Sequence, residues 1–250
     1  MYTTEQVKVL SEVAGTVKKR ARHLMELYYS LSFKSDLAKE FALQGFGRRV
    51  SNLSSAIQQI FEAIPPDYQG NPSNENRSSV EIGLHAFFAN LAGCFDNLAW
   101  VYVYEKNLTI KNQYVGISHK HKQMLSYFSD SFRVYILEME SWFNHLKSFR
   151  DSLVHRIPLY IPPYAVTDDK IDLYNELSAR KFQIPKSFDE EYLKEQKEIE
   201  VKLDNIVRFQ PVYNHSWNEN PIPINFHAQV LADFATIEQL AKNFLGELNL

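Results

Sequence analysis

The sequence holds a single cysteine, Cys94, so no disulfide can close within the chain. Its eight glycines build no phosphate-cradling loop: neither GxxxxGKS/T nor GxGxxG occurs. GxSxG, HExxH and CxxC are absent as well. Kinase, dinucleotide oxidoreductase, hydrolase-elbow and zinc chemistries therefore have no sequence support, and no cofactor or metal is expected. Long uninterrupted apolar runs are also missing. The most hydrophobic window, Ile82 to Tyr104, is broken by His85, Asn90, Asp96 and Asn97. An aspartate in mid-span is costly in lipid, so this window reads as a buried helix of a soluble protein. The start, Met1-Tyr2-Thr3-Thr4-Glu5, carries no apolar signal region. A cytoplasmic location is the expectation.

Aromatic residues are abundant, 14% of the 250 positions, and 45% of the chain is hydrophobic, enough for a sizeable core. Net charge is −3, which argues against non-specific coating of nucleic acid and leaves room for a local basic groove. Lys18, Lys19, Arg20, Arg22, Arg48 and Arg49 make the first fifth basic. Asp189, Glu190, Glu191, Glu195, Glu198 and Glu200 make a later segment acidic. Both read as solvated helix faces.

The fold expectation is mainly α: one helical domain over residues 1–250, with a small β-containing elaboration at about 157–224. Helical apolar spacing covers 4–33 after a Thr3-Thr4 cap, then Gly47 to Ile64, stopped by Pro65-Pro66. Residues 65–76 read as a loop. Long helices are expected over Ser78 to Lys106 and Ser131 to Arg156. Three prolines among Pro158, Pro162 and Pro163 force 157–164 into an extended form. Short helices follow at 170–181 and 188–204. Residues 206–213 are strand-like and can pair with 157–164, and 225–248 is a closing helix.

Two of these helices carry chemistry-bearing residues. On the 78–106 helix, His85, Ala89, Gly93, Asp96 and Trp100 share one stripe, with the small residues inviting a close neighbour. Asn90 and Asn97 lie seven apart on one face and can join the same polar network. On the 131–156 helix, Met139, Phe143, Leu146, Leu153 and Val154 set an apolar stripe with Arg150 in its middle. A core-facing Arg150 needs an anion, and Asp96 is the natural one. Asn144, Ser148, Asp151 and His155 form the polar face, where Asp151 and His155 can meet at i, i+4. The C-terminal dipole and the aspartate both favour protonated His155. Arginine to hold a phosphate beside a histidine to move a proton is one reading. A buried architectural ion pair beside a capping histidine is the other.

The segment Phe149-Arg150-Asp151-Ser152-Leu153-Val154-His155 resembles the Arg-polar-x3-His signature of the HEPN superfamily of helical-bundle proteins. Ala92-Gly93-Cys94-Phe95-Asp96-Asn97-Leu98-Ala99-Trp100 is similar to the acidic core helix that precedes it in several HEPN families. The likeness spans roughly residues 78–160. It departs after the arginine, where the family usually has Asn and this chain has Asp151. The resemblance implies a metal-independent endoribonuclease, or a catalytically silent relative binding a partner protein or nucleotide. It implies RNA as substrate, a homodimer whose two motifs share one cleft, and a toxin–antitoxin or phage-defence setting with an antitoxin or regulatory partner. Carried over, His155 is the general acid or base, Arg150 stabilises phosphate charge, and Asp96 orients Arg150, with Asp151 and Asn97 in support.

Other candidates carry less. His119-Lys120-His121-Lys122 reads as a solvated loop, because histidines two apart rarely converge on a helix. Trp142 and His145 read as packing, and His85 as a satisfied core histidine or a member of the polar cluster around Asp96. Tyr160, Tyr164, Phe209, Tyr213 and Trp217 suit base stacking in principle, and a small apolar core under the elaboration fits them better.

Overall fold

Thr3 begins the helical part of the chain. Its hydroxyl accepts from the Gln6 N–H while the Gln6 side chain accepts from the Thr3 N–H, a complete capping box. The computed structural model describes residues 2–183, 189–215 and 223–248. Helix α1 (Thr4–Tyr29) is followed by a short α2 (Asp36–Glu40), a π-helical turn (Phe41–Phe46) and α3 (Gly47–Ala63). Ser73 caps α4 (Asn74–Glu105), so that helix starts four residues before the expected position. Helices α5 (Lys122–Leu125), α6 (Asp130–Glu138) and α7 (Glu140–His155) come next, then α8 (Ile171–Lys181) and α9 (Glu190–Ile206). Strands β1 (Val212–Tyr213) and β2 (Ile224–Asn225) precede α10 (Phe226–Leu248).

Helix α4 buries residues on every side, among them Val80, Leu84, Phe87, Leu91, Cys94, Leu98 and Val101. A helix apolar all round belongs in the centre, and α4 packs there against α3, α10 and α7. Cys94 is sealed in this core, where burial pushes its thiol far up and leaves it inert. Close approach of α3 and α4 occurs at Gly83, where a Cβ would stand 2.9 Å from Ile60 Cγ1. Gly93, expected to do this, has a different use described below. Polar clamps fix the bundle edges. Glu238 of α10 takes Arg20 and Lys242, joining α1 to α10. Glu105 accepts the Lys34 and Ser35 N–H groups ahead of α2.

The expected single helix over 131–156 is broken. Met139, at φ −84° and ψ 9°, ends α6 and caps α7. The extended 157–164 segment is as expected, and α4 holds it: Ile161 N–H donates to Glu81 at 2.8 Å, and His85 Nε2 lies 3.2 Å from the Leu159 carbonyl. The expected pairing of 157–164 with 206–213 is reduced to two isolated bridges at the edges of these segments, Tyr160 with Asn214 and Ala165 with Arg208. The two-stranded antiparallel ladder forms instead between β1 and β2. Phe209 and Tyr213 are buried in the main core and not in a separate one; Tyr213 packs on Phe88 and Phe149. Trp217 lies outside the described residues. Helices α8 and α9 form a hairpin with a small core of its own, Leu177, Ile199 and Ile206. Two of the acidic residues noted above, Glu195 and Glu200, are paired there with Arg180 and Lys181. Among the described residues, no helix is long and apolar enough to cross a membrane.

Candidate functional site

The buried stripe of α7 is Phe143, Leu146, Phe149 and Ser152, three residues apart each time. Phe149 stacks on Phe88 of α4 at 5.2 Å between ring centroids. Arg150 follows Phe149 by one residue, about 100° round the helix, and so points outward. Its side chain is 45% exposed, not core-facing as expected. Val154, assigned to the same stripe from sequence, is exposed too.

Arg150 binds Asp151, with Nε at 3.2 Å and Nη2 at 2.9 Å from Oδ1, while Lys147 donates to Oδ2 at 2.5 Å. Partial burial pushes the Asp151 carboxyl up, but the hydrogen bonds from Lys147 and Arg150 outweigh it and hold it below its ordinary range. Asp151 thus turns toward Lys147 and not toward His155. His155 is exposed at the last turn of α7, outside the cleft that Arg150 enters.

That cleft holds about 280 Å³ and lies between α4, α7 and the loop ahead of α5. Asp96, His119, His121, Lys147 and Arg150 line it, with Phe95 and Phe143 among its apolar walls. Asp96 is open to solvent at the cleft, yet the protein around it excludes enough water to push its carboxyl up. Arg150, Arg49 and His121 pull the other way without cancelling the rise. No direct Asp96–Arg150 ion pair forms within 4 Å among the described residues; the expected pair is an interaction across the cleft.

Sequence reasoning missed two contributors. The first is the 118–121 loop, set aside as solvated. His121 is half-buried, with Nδ1 2.8 Å from the Ser118 hydroxyl, and its ring lies where a Cβ on Gly116 would be, 2.5 Å from Nε2. Burial pushes its pKa down; Asp96 opposes this, and His119 adds to it. His119 is nearly sealed, with Nε2 3.6 Å from Glu140 and Nδ1 buried without a partner. The second is Arg49, counted as surface charge. Its Nε donates to Asn97 Oδ1 at 2.7 Å. Gly93 makes room for it, since a Cβ there would run into the guanidinium. Gly45, in the π-turn, makes room for the Asn97 amide, which a Cβ would meet at 2.7 Å. Two glycines set against one Arg–Asn pair were the available signal. Asn90 takes no part, bonding Asn52 and the Ala86 carbonyl on the surface.

Among the described residues, no three His, Cys, Asp or Glu side chains gather as metal ligands. A second cleft of about 230 Å³ lies between residues 64–71 and 204–211. Its arginine, Arg208, is engaged by the Asn205 and Val207 carbonyls, and no imidazole lines it. What the first cleft can do is chemical: cations for an anionic ligand, a carboxyl and an imidazole with opposite displacements of pKa, and room for a small group. Comparison with known proteins adds no relative: no family model, curated protein or solved structure matches the chain.

Proposed function

We propose that the protein is a HEPN-like endoribonuclease that cleaves RNA without a metal, working as a homodimer in a toxin or defence system. The observation that carries this reading is the convergence of Arg150, Lys147, Asp96 and His121 on one cleft. A phosphodiester needs positive charge against its non-bridging oxygens and a group that moves a proton nearby, and this cleft lines up both. Arg150 supplies the charge in this reading. Asp96 keeps the guanidinium turned to the cleft from across it. His155 stands outside the cleft and does not line it beside Arg150. Val154 and Ile157, 66% and 60% exposed beside it, offer an apolar edge for the seam of a homodimer.

The test is incubation of wild type and Arg150→Ala with mixed RNA in the presence of a chelator. Chelator-resistant cleavage that falls about 100-fold or more in the variant is expected. Wild-type protein that leaves RNA intact, or an equally active variant, sinks the reading. One observation favours a non-catalytic module that binds a nucleotide or partner protein. Asp151 pairs with both Arg150 and Lys147 at the cleft rim and offsets one of their two charges. In that case the wild type binds nucleotide with no cleavage, and Arg150→Met with Asp96→Leu keeps the partner function.

A further inference from the structure

The Arg-x4-His spacing directs attention to His155, but geometry favours another imidazole. Three features set His121 apart. It lines the cleft that Arg150 and Asp96 line, and His155 does not. It is oriented: Ser118 fixes Nδ1 at 2.8 Å, and Gly116 provides the flat surface beneath the ring. Its Nε2 has no hydrogen-bond partner among the described residues and is not sealed from solvent, so in the tautomer whose Nδ1–H donates to the Ser118 hydroxyl it can take a proton from a bound group.

We propose that His121, in place of His155, is the proton-transfer residue of this cleft, acting on the 2′-hydroxyl of an RNA phosphodiester. The assignment rests on the ribonuclease reading above. In the step, Nε2 takes the 2′-hydroxyl proton as the 2′-oxygen bonds to phosphorus and the bond to the 5′-oxygen breaks. The departing 5′-oxygen takes a proton from a cleft water, and the imidazolium returns its own proton to that water. The products are a 2′,3′-cyclic phosphate and a 5′-hydroxyl, with no oxidant, reductant or further reactant. Arg150 and Lys147 face the phosphate charge, as the walls of α7.

The groups facing His121 set its pH behaviour. Asp96 of α4 lies across the cleft, and Arg49 of α3 lies beyond Asp96. From α7 come Arg150 and Lys147, and from its own loop His119 and Lys120. Burial and His119 hold His121 neutral to lower pH than an ordinary histidine, against Asp96. A neutral imidazole is the form that accepts a proton, so cleavage is retained into mildly acidic solution and falls below it.

The experiment compares wild type, His121→Ala, His121→Gln and His155→Ala on a single-stranded RNA with chelator, beside thermal unfolding of each. Glutamine keeps a hydrogen-bonding group for Ser118 and guards against a variant that fails to fold. Expected is a loss of about 100-fold or more in both His121 variants. Added imidazole restores part of the activity of His121→Ala, and His155→Ala stays within about threefold of wild type. Cleavage surviving in His121→Gln, a loss in folded His121→Ala that imidazole leaves untouched, or an equal loss in His155→Ala overturns the assignment. Any of these leaves the ribonuclease reading standing. No cleavage by wild type overturns both.

Discussion

Asp96 and Asp233 are both carboxyl groups pushed up by the protein around them, yet their surroundings differ in kind. Asp96 opens to a cleft and is offset by charges: Arg150, Arg49 and His121. Asp233, on α10, is 1% exposed and is offset only by hydrogen bonds, from Trp142 Nε1 at 2.8 Å and Gln229 at 2.9 Å. Its pKa rises to about 6, and its second oxygen has no partner. Displaced ionisation therefore does not mark a working site by itself. Access does: a substrate can replace water at Asp96 and cannot reach Asp233. His227, also on α10 and fully buried, completes the sealed region, with Nε2 2.6 Å from the Ile64 carbonyl and Nδ1 unpaired. Burial pushes its pKa down to about 4, more than the bond to Ile64 restores.

The largest expected effect sharpens the open side of the comparison. Arg150→Ala cuts RNA cleavage about 100-fold or more while stability changes by less than about 0.5 kcal/mol, because the side chain is half in water. A collapse of the melting temperature would make Arg150 architectural after all.

On the sealed side the effect appears only as pH dependence. Asp233 carries no penalty below its ordinary value near 3.8 and the full one above about 6, so it costs stability as pH rises through that range. His227 carries no penalty above its ordinary value near 6.5 and the full one below about 4, so it costs stability as pH falls through nearly the same range. Each is worth about 3 kcal/mol, and they nearly cancel. The summed contribution of these two groups is close to flat from pH 4 to 6.5, so urea titrations of each variant are read as changes in slope relative to wild type. Asp233→Asn should then lose stability on acidification, and His227→Gln on alkalinisation. Identical slopes in all three proteins would show that burial leaves these groups unperturbed.

Gly93→Ala tests how the two regions differ in tolerance. The methyl displaces only the far end of Arg49, and Ala favours a helix over Gly by up to about 1 kcal/mol. Stability should hold or rise slightly, while Arg49 leaves Asn97 and the Asp96 carboxyl titrates higher still. An NMR titration of Asp96 that does not move would show that Arg49 has no hold on it. The smallest effect belongs to Val154→Ser, within about 0.5 kcal/mol for the monomer and felt only in self-association by gel filtration.

Much of the bundle was legible because its signals are local. The Thr3 cap, the Pro65-Pro66 stop and the all-round apolar character of α4 need only neighbours in sequence. The face of Arg150 was not. Choosing Leu153 and Val154 over Phe149 and Ser152 rotates the apparent stripe by roughly 60°, and Phe88 decides in favour of Phe149. The break at Met139 carries no proline or glycine and follows from how α6 and α7 pack on different neighbours. His119 and His121 were discounted by a rule for helices; in a loop, two residues do not force divergence. Asp96 was expected on a buried helix face, paired with a core-facing Arg150; it opens to a cleft instead, and the cations around it come from three elements distant in sequence, which no spacing can reveal.

The π-turn at Phe41–Phe46 has a consequence for the length of the chain itself. There the Gly47 N–H reaches back five residues to the Ala42 carbonyl, one more than an α-helix needs. Removing one residue from the turn would let ordinary helix run from α2 into α3. Everything after it would be turned by about a third of a circle relative to what comes before. Arg49 could then not face Asn97 while Lys34 and Ser35, ahead of the turn, keep their bonds to Glu105 of the same helix α4. A related sequence lacking that single residue should have lost the arginine, and the two glycines shaped around it would be free to become alanines.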